Sequence, residues 1–232
     1  MNFSSPNDVE SAAFERDGYI VIRNMVTAQR FAELRTIAND HLRQLIAPIE
    51  FEVDVRYPGA PLDENSPGAD TSRRLLQAFA RDEAFRLWAL DPEVKHILAS
   101  LLQTEESLSV SQCHHNCIMT KAPGFSSVTL WHQDSRYWAF DYENLVSVWL
   151  ALGDEDKTNG CLRVIPGSHK LNFDSGRFDA AMFLRPDLPE NKLLIQQAAT
   201  VELGPGDVLF FHSRLFHAAG RNLSEETKLS VV

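Results

Sequence analysis

The sequence predicts a mainly β protein with flanking helices, and three observations support this fold class. From residue 107 onward, short runs of β-forming residues alternate with turn residues. Before that point the chain has mostly helical spacing, and residues 171–194 interrupt the β-type runs over too great a length for a hairpin turn. Seven short runs favour an antiparallel sandwich or jelly roll, with the 171–194 segment covering a site. The runs are LSVSQCHHNCIM, SSVTLWHQD, LVSVWLAL, GCLRVIP, ATVEL, DVLFFHS and KLSVV.

The first half of the chain is predicted to support this β part. Residues 14–26 contain a short β-type run, and residues 27–46 have the spacing of a helix that Thr27 can cap. Three prolines and two glycines make residues 56–70 a loop, after which residues 71–103 have helical spacing with a break near Asp91-Pro92. We therefore expect one domain over residues 1–232, mostly helical in 1–106 and with the β core in 107–232.

Composition excludes several classes of partner. The chain has 32 acidic and 22 basic residues, so its formal charge of −10 repels a nucleic-acid backbone. It has neither the basic start and apolar run of a signal peptide nor an apolar stretch of membrane-spanning length. We expect a cytoplasmic protein with reduced thiols at Cys113, Cys117 and Cys161, acting on a small molecule rather than a membrane. Composition does not give the oligomeric state.

One pair of residues indicates a metal site. His132 and Asp134 lie two apart on a predicted strand, so their side chains leave the same face and can reach one ion. The segment DVLFFHSRLFHAAGRN offers a third ligand at His212 or His217. Two histidines and one carboxylate occupy one face of an octahedral iron(II) and leave positions open for oxygen and a co-substrate.

Five motifs in order give this pair its context: FERDGYIVIRN, LWHQDSRYW, WLAL, NGCLRVIPGSHK and HAAGRN. With them the chain resembles the phytanoyl-CoA dioxygenase family of iron(II)/2-oxoglutarate oxygenases over nearly its whole length. The resemblance implies a double-stranded β-helix that uses iron(II), 2-oxoglutarate and O2. It makes His132, Asp134 and His217 the catalytic metal ligands and gives His212 another role. Because Asp134 fills the position that related halogenases leave open, hydroxylation of a small molecule is the expected reaction.

The resemblance also implies residues that hold the co-substrate. Family members usually place an arginine about one strand beyond the distal histidine, whereas here Lys228 stands eleven residues after His217. A lysine offers a point charge without the bidentate fork of arginine. Gln133 and Trp149 are expected to line the pocket, and Lys121, on the strand before the HQD motif, is a second candidate for the co-substrate carboxylate. The family often has a serine where this chain has Ala219.

Candidate substrate residues follow from position alone. They are His114 and Asn116 on one strand, and Arg136 and Tyr137 after the ligands; Arg136 could pair with a carboxylate or phosphate. Ser72-Arg73-Arg74 could form the basic tip of a lid.

Two other functions are compatible with the same ligands. One is a non-catalytic β-helix module that binds metal but does not use oxygen, indicated only by Lys228 and Ala219. The other is a cupin-like isomerase or hydrolase, which the NGCLRVIPGSH motif disfavours. Succinate formation distinguishes these from a dioxygenase.

Overall fold

The computed structural model of the protein describes residues 8–111, 116–138, 140 and 144–232. In that part of the chain six α-helices precede or interrupt eleven strands. The helices are α1 Asp8–Asp17, α2 Ala28–Arg43, α3 Ala78–Arg81, α4 Glu83–Ala89, α5 Pro92–Leu101 and α6 Pro189–Ile195. The strands are β1 Tyr19–Ile22, β2 Ile49–Phe51, β3 Ser72–Leu76, β4 Cys117–Lys121, β5 Thr129–His132, β6 Val146–Ala151, β7 Leu162–Val164, β8 Ala199–Thr200, β9 Val208–His212, β10 His217–Ala219 and β11 Lys228–Val231.

These strands form two antiparallel sheets within the described ranges. The larger sheet has seven strands in the order β1-β9-β6-β11-β4-β3-β2, and the smaller has four in the order β5-β10-β7-β8. Neighbours in each sheet are often far apart in sequence, as expected for strands that alternate between two layers. The predicted mainly β architecture is confirmed, and the paired sheets are those of a double-stranded β-helix.

Alternation along β6 separates the interior into two regions. Val146, Val148 and Leu150 pack with the helices in one apolar cluster. Trp149 and Ala151 belong to a second cluster, which also contains residues of the smaller sheet. Because successive side chains of a strand point to opposite faces, the larger sheet has a helix-covered face and a face toward the smaller sheet.

The predictions for the first half are partly confirmed. Thr27 caps α2, and its side chain accepts a hydrogen bond from the backbone N–H of Arg30. The helix predicted to begin at residue 71 is wrong at its start, because Ser72–Leu76 forms strand β3 between β2 and β4. Pairing with these strands overrides the helical preference of its arginines and leucines.

None of the helices in the described ranges is both long and apolar enough to span a membrane.

Candidate active site

The smaller sheet brings two histidines together. His132 is the last residue of β5 and His217 the first of β10, and the two are register partners in this antiparallel pair. Their ring centroids are 4.2 Å apart. Asp134 follows β5 at the start of a short 3-10 helix, and all three residues are buried. One ligand atom from each lies within 4.8 Å of the others, so the three could hold one metal ion, and they form the only such group in the described part of the chain.

The geometry fits a single octahedral ion. The Nε2 atoms of His132 and His217 lie 3.8 and 3.4 Å from Oδ1 of Asp134. Adjacent ligands of an octahedral ion with bonds of about 2.1 Å stand about 3 Å apart, so small adjustments close the site on a metal.

Hydrogen bonds orient each of these three side chains. Nδ1 of His132 lies 2.8 Å from the carbonyl of Leu130, and Nδ1 of His217 lies 3.0 Å from that of Leu215. An imidazole that donates from Nδ1 presents Nε2 as its ligand atom. The hydroxyl of Ser147 donates to Oδ2 of Asp134 at 2.8 Å, which leaves Oδ1 toward the histidines.

Electrostatics also favours a cation here. Burial alone would lower the pKa of His217, but the carboxylate of Asp134 and the hydrogen bond to the carbonyl of Leu215 together outweigh burial, and the pKa is raised. The same carboxylate field that attracts a proton to the imidazole attracts a metal ion in its place.

A small cavity of about 40 Å³ adjoins the three residues. Five of its lining residues bear on ligand binding because they are cationic or lie beside the cations: Arg73, Arg74, Lys121, Trp149 and Lys228. Lys121, Trp149 and Lys228 were sequence candidates. Arg73 and Arg74 were missed as pocket residues, because they were assigned to a lid tip rather than to a strand.

The two lysines are held differently. They are register partners across β4 and β11. The ammonium of Lys121 donates to the carbonyls of Ser127 at 2.9 Å and Gly220 at 2.6 Å. Burial, together with the charges of Lys228 and Arg73, lowers the pKa of Lys121 to about 7. Lys228 instead donates to Oε2 of buried Glu155 at 2.9 Å. Sequence reasoning missed Glu155, which lies in an acidic loop typical of a solvated surface.

Aromatic residues border His132 on another side. The rings of Phe183 and Tyr137 lie 5.9 and 6.0 Å from its imidazole, both edge-on. The hydroxyls of Tyr57 and Tyr137 are 3.1 Å apart. The guanidinium of Arg136 lies 3.8 Å from the Phe183 centroid, and its Nη1 is buried without a hydrogen-bond partner in the described ranges. Phe183, from the 171–194 segment, contacts His132 directly. Tyr57, from the 56–70 loop, contacts Tyr137 and Phe183, so this loop lies one residue further from His132.

The remaining candidates lie elsewhere. Gln133 donates its amide to the carbonyl of Arg214 and does not line the small cavity. The amide oxygen of Asn116 accepts from the backbone of Phe79, and Asn116 lines a separate cavity of about 410 Å³. His114 falls outside the described residues.

His212 lies apart from the metal residues. Its ring contacts His169, and its Nδ1 accepts from the backbone of Arg214. Burial lowers its pKa to about 4. The structure thus brings His217, and not His212, beside His132 and Asp134.

The similarity to known proteins covers nearly the whole chain. The sequence model of the family described as Phytanoyl-CoA dioxygenase (PhyH) matches residues 14–230. The chain belongs to the phytanoyl-CoA dioxygenase family. This is a family of iron(II)/2-oxoglutarate dioxygenases, so the resemblance carried by the five sequence motifs is confirmed, together with the cofactors that it implies.

Curated relatives are similar but longer. A probable phytanoyl-CoA dioxygenase of Caenorhabditis elegans is 26% identical over 219 residues, covering 91% of this chain and 69% of that protein. Phytanoyl-CoA dioxygenase 1 of Oryza sativa subsp. japonica is 29% identical over 143 residues, covering 62% and 49%. For the peroxisomal enzyme of Rattus norvegicus the identity is 26% over 231 residues, with coverages of 91% and 63%. The chain therefore spans about half to two thirds of the length of these relatives.

Solved structures share the fold. Iron-bound EctD from S. alaskensis superposes with a TM-score of 0.78 at 21% identity, covering 99% of this chain and 76% of EctD. The epimerase SnoN, solved with Fe3+, alpha ketoglutarate and nogalamycin RO, superposes with a TM-score of 0.70 at 25% identity, covering 95% and 79%.

Proposed function

We propose that this chain is an iron(II)- and 2-oxoglutarate-dependent dioxygenase that hydroxylates an unactivated C–H bond of a small molecule. The observation that carries the proposal is the buried group of His132, Asp134 and His217, which opens on a cavity lined by cations. When bound, iron(II) supplies the redox chemistry, in which O2 and 2-oxoglutarate yield succinate, CO2 and the hydroxylated product. The residues of the chain bind, orient and shield the reactants.

Hydrogen bonds within the chain orient the three proposed ligands. Both imidazoles are fixed with Nδ1 toward a backbone carbonyl, and Ser147 fixes the carboxylate of Asp134. Three protein ligands on one face leave the opposite positions open for a keto acid and oxygen. Gln133 is not proposed as a co-substrate contact, because its amide is bonded to a backbone carbonyl away from the cavity.

The proposed co-substrate site lies at the floor of the same cavity. Lys121 and Lys228 place two ammonium groups side by side, and Arg74 adds a guanidinium. Together they suit the distal carboxylate of 2-oxoglutarate, whose keto acid end reaches the metal residues. A cavity of about 40 Å³ holds only about three water molecules. We therefore expect its lining side chains to move when the co-substrate enters.

The aromatic wall beside His132 is the proposed substrate side. Tyr137 and Phe183 provide an apolar surface, and Arg136 provides a cation for a carboxylate or phosphate of the substrate. Relatives are named for phytanoyl-CoA and ectoine, both small molecules. A stimulation of succinate release by an anionic small molecule, lost in Arg136→Met and partly kept in Arg136→Lys, would identify this contact.

The proposal is tested by turnover of 2-oxoglutarate. Purified protein with iron(II), ascorbate and O2 should release succinate and CO2 in uncoupled fashion, even before the substrate is known. His132→Ala is the control and should release none. Equal succinate from both proteins would contradict the proposal and leave the non-catalytic metal-binding module, for which iron binding without turnover is the expected result.

A further inference from the structure

We propose that Glu155 is a positioning residue that holds the ammonium of Lys228 and the indole of Trp149 at the floor of the co-substrate pocket. The inference rests on the proposed function. It explains how a lysine serves at a position where the family usually has an arginine.

Glu155 is fixed in place by its backbone. It follows β6, and its N–H and C=O bond with the C=O and N–H of Leu203 at 2.8 and 2.9 Å. Its side chain is fully buried. The carboxylate therefore has a defined position behind the cavity, which Lys228 and Trp149 line and Glu155 does not.

Three donors converge on this carboxylate. Oε2 accepts from the ammonium of Lys228 at 2.9 Å. Oε1 accepts from the indole N–H of Trp149 at 2.9 Å and from the hydroxyl of Ser230 at 2.6 Å. A buried carboxylate is tolerated when such bonds satisfy it. The ammonium also lies 5.1 Å from the Trp149 centroid, so the carboxylate fixes both members of a cation–π pair.

Without this carboxylate, Lys228 would be unfavourably placed. It is buried and faces Lys121 across the β4–β11 pair. Two buried ammonium groups side by side repel, and removal of the counter-ion leaves one of them unpaired. The ammonium of Lys228 would then turn away from the cavity. A flexible lysine also lacks the rigid planar fork that pre-organises arginine, so an external partner has to orient it.

An alternative role for Glu155 predicts the opposite effect on co-substrate binding. If the carboxylate competed with 2-oxoglutarate for Lys228, its removal would tighten co-substrate binding. A positioning role instead predicts weaker binding, confined to keto acids that have a distal carboxylate.

The experiment measures binding rather than turnover. Iron(II)-loaded protein is titrated under anaerobic conditions with 2-oxoglutarate and with 2-oxovalerate, which has the same carbon chain but no distal carboxylate. Glu155→Gln keeps the side-chain size and an oxygen for Trp149 and Ser230, and removes the charge. We expect its Kd for 2-oxoglutarate to rise about tenfold, with the Kd values for 2-oxovalerate and iron(II) unchanged. Ser230→Ala, the matched control, removes one hydrogen bond and no charge, and should raise the Kd less than threefold.

A double-mutant cycle tests whether Glu155 acts through Lys228. Lys228→Gln alone should also raise the Kd for 2-oxoglutarate, and adding Glu155→Gln to it should have no further effect. The double variant removes both members of the Lys228–Glu155 ion pair and leaves neither charge without the other, so it remains informative if Glu155→Gln does not fold. Additive effects, a fall in Kd, no change, or equal losses for both keto acids would overturn the inference. Failure of the wild-type protein to bind 2-oxoglutarate would instead contradict the proposed function.

Discussion

The space between the two sheets differs in kind from the core beneath the helices, although the larger sheet borders both. On the helix side, β6 contributes Val148 and Leu150 to an apolar cluster. On the other side the same strand contributes Ser147, bonded to Asp134, and Trp149, bonded to Glu155. Burial of apolar area stabilises the first region, whereas the second buries charges whose desolvation has to be offset by pairing. One face of the sheet therefore stabilises the fold, and the other carries the chemistry.

The largest expected effect comes from a substitution between the two sheets. His132→Ala removes a proposed ligand, and we expect iron(II) affinity and succinate release to fall by more than about 100-fold, beyond the usual effect of a neighbouring group. Gln133→Ala is the matched control, because its side chain bonds to Arg214 outside the cavity. Metal titration and succinate assays measure both variants. Similar losses in the two would show that the effect is not specific to the ligand.

The second prediction concerns a substitution in the apolar cluster beneath the helices. Leu150 is fully buried in the apolar cluster, so Leu150→Ala should lower the free energy of unfolding by about 2–5 kcal/mol in denaturant titrations. The co-substrate Kd of the folded fraction should not change. Leu223→Ala, at a side chain that is 75% exposed, should cost less than about 0.5 kcal/mol. A large change in co-substrate affinity for Leu150→Ala would mean that the two regions are not separate.

A third change sharpens the comparison within β6 itself. Ser147→Ala removes the hydrogen bond to Oδ2 of Asp134 and should lower iron(II) affinity by about 10-fold. Val148→Ala, next to it on the strand, changes only the helix-facing side. Its iron(II) affinity should equal that of the wild type, and a loss equal to that of Ser147→Ala would refute the assignment.

The smallest expected effect concerns pH. Burial lowers the pKa of Lys121 to about 7, so the side chain is an ammonium below that pH and neutral above it. With saturating iron(II), the Kd for 2-oxoglutarate should therefore rise several-fold from pH 6 to pH 8. Lys121→Met removes the titrating group and should flatten this dependence. A dependence that survives in Lys121→Met would assign it to another group.

Local patterns predicted much of the fold and the metal residues. Thr27 caps helix α2, as its position predicts. The spacing of His132 and Asp134 predicts that both can reach one ion, and the structure does bring them together. The predicted reason is wrong, however, because β5 ends at His132 and Asp134 lies in the 3-10 helix that follows it rather than on the strand. The motif HAAGRN favoured His217 over His212 as the third ligand, and in the structure it is His217 that lies beside His132 and Asp134. What local patterns could not supply depends on contacts distant in sequence.

Arg74 and Glu155 illustrate this limit. Strand β3, which carries Arg74, is held by pairing with β4, a partner outside the local window. Glu155 lies in an acidic loop, and its buried carboxylate meets Lys228 and Ser230 from a strand far along the chain. The lysine at position 228, where the family usually has an arginine, was the one sequence signal, since a counter-ion stabilises the charge of a buried lysine.

The pairing of His217 with His132 across β5 and β10 has a consequence for assembly. A slip of one residue between these strands would turn one imidazole to the opposite face of the sheet. Only the native register presents a complete ligand set, so an ion that binds it stabilises that register against all others. At a free metal concentration 100 times the Kd, this linkage adds about 2.7 kcal/mol to stability. Iron binding would thus select the native alignment of β5 and β10. Thermal unfolding with and without metal would measure the gain in stability.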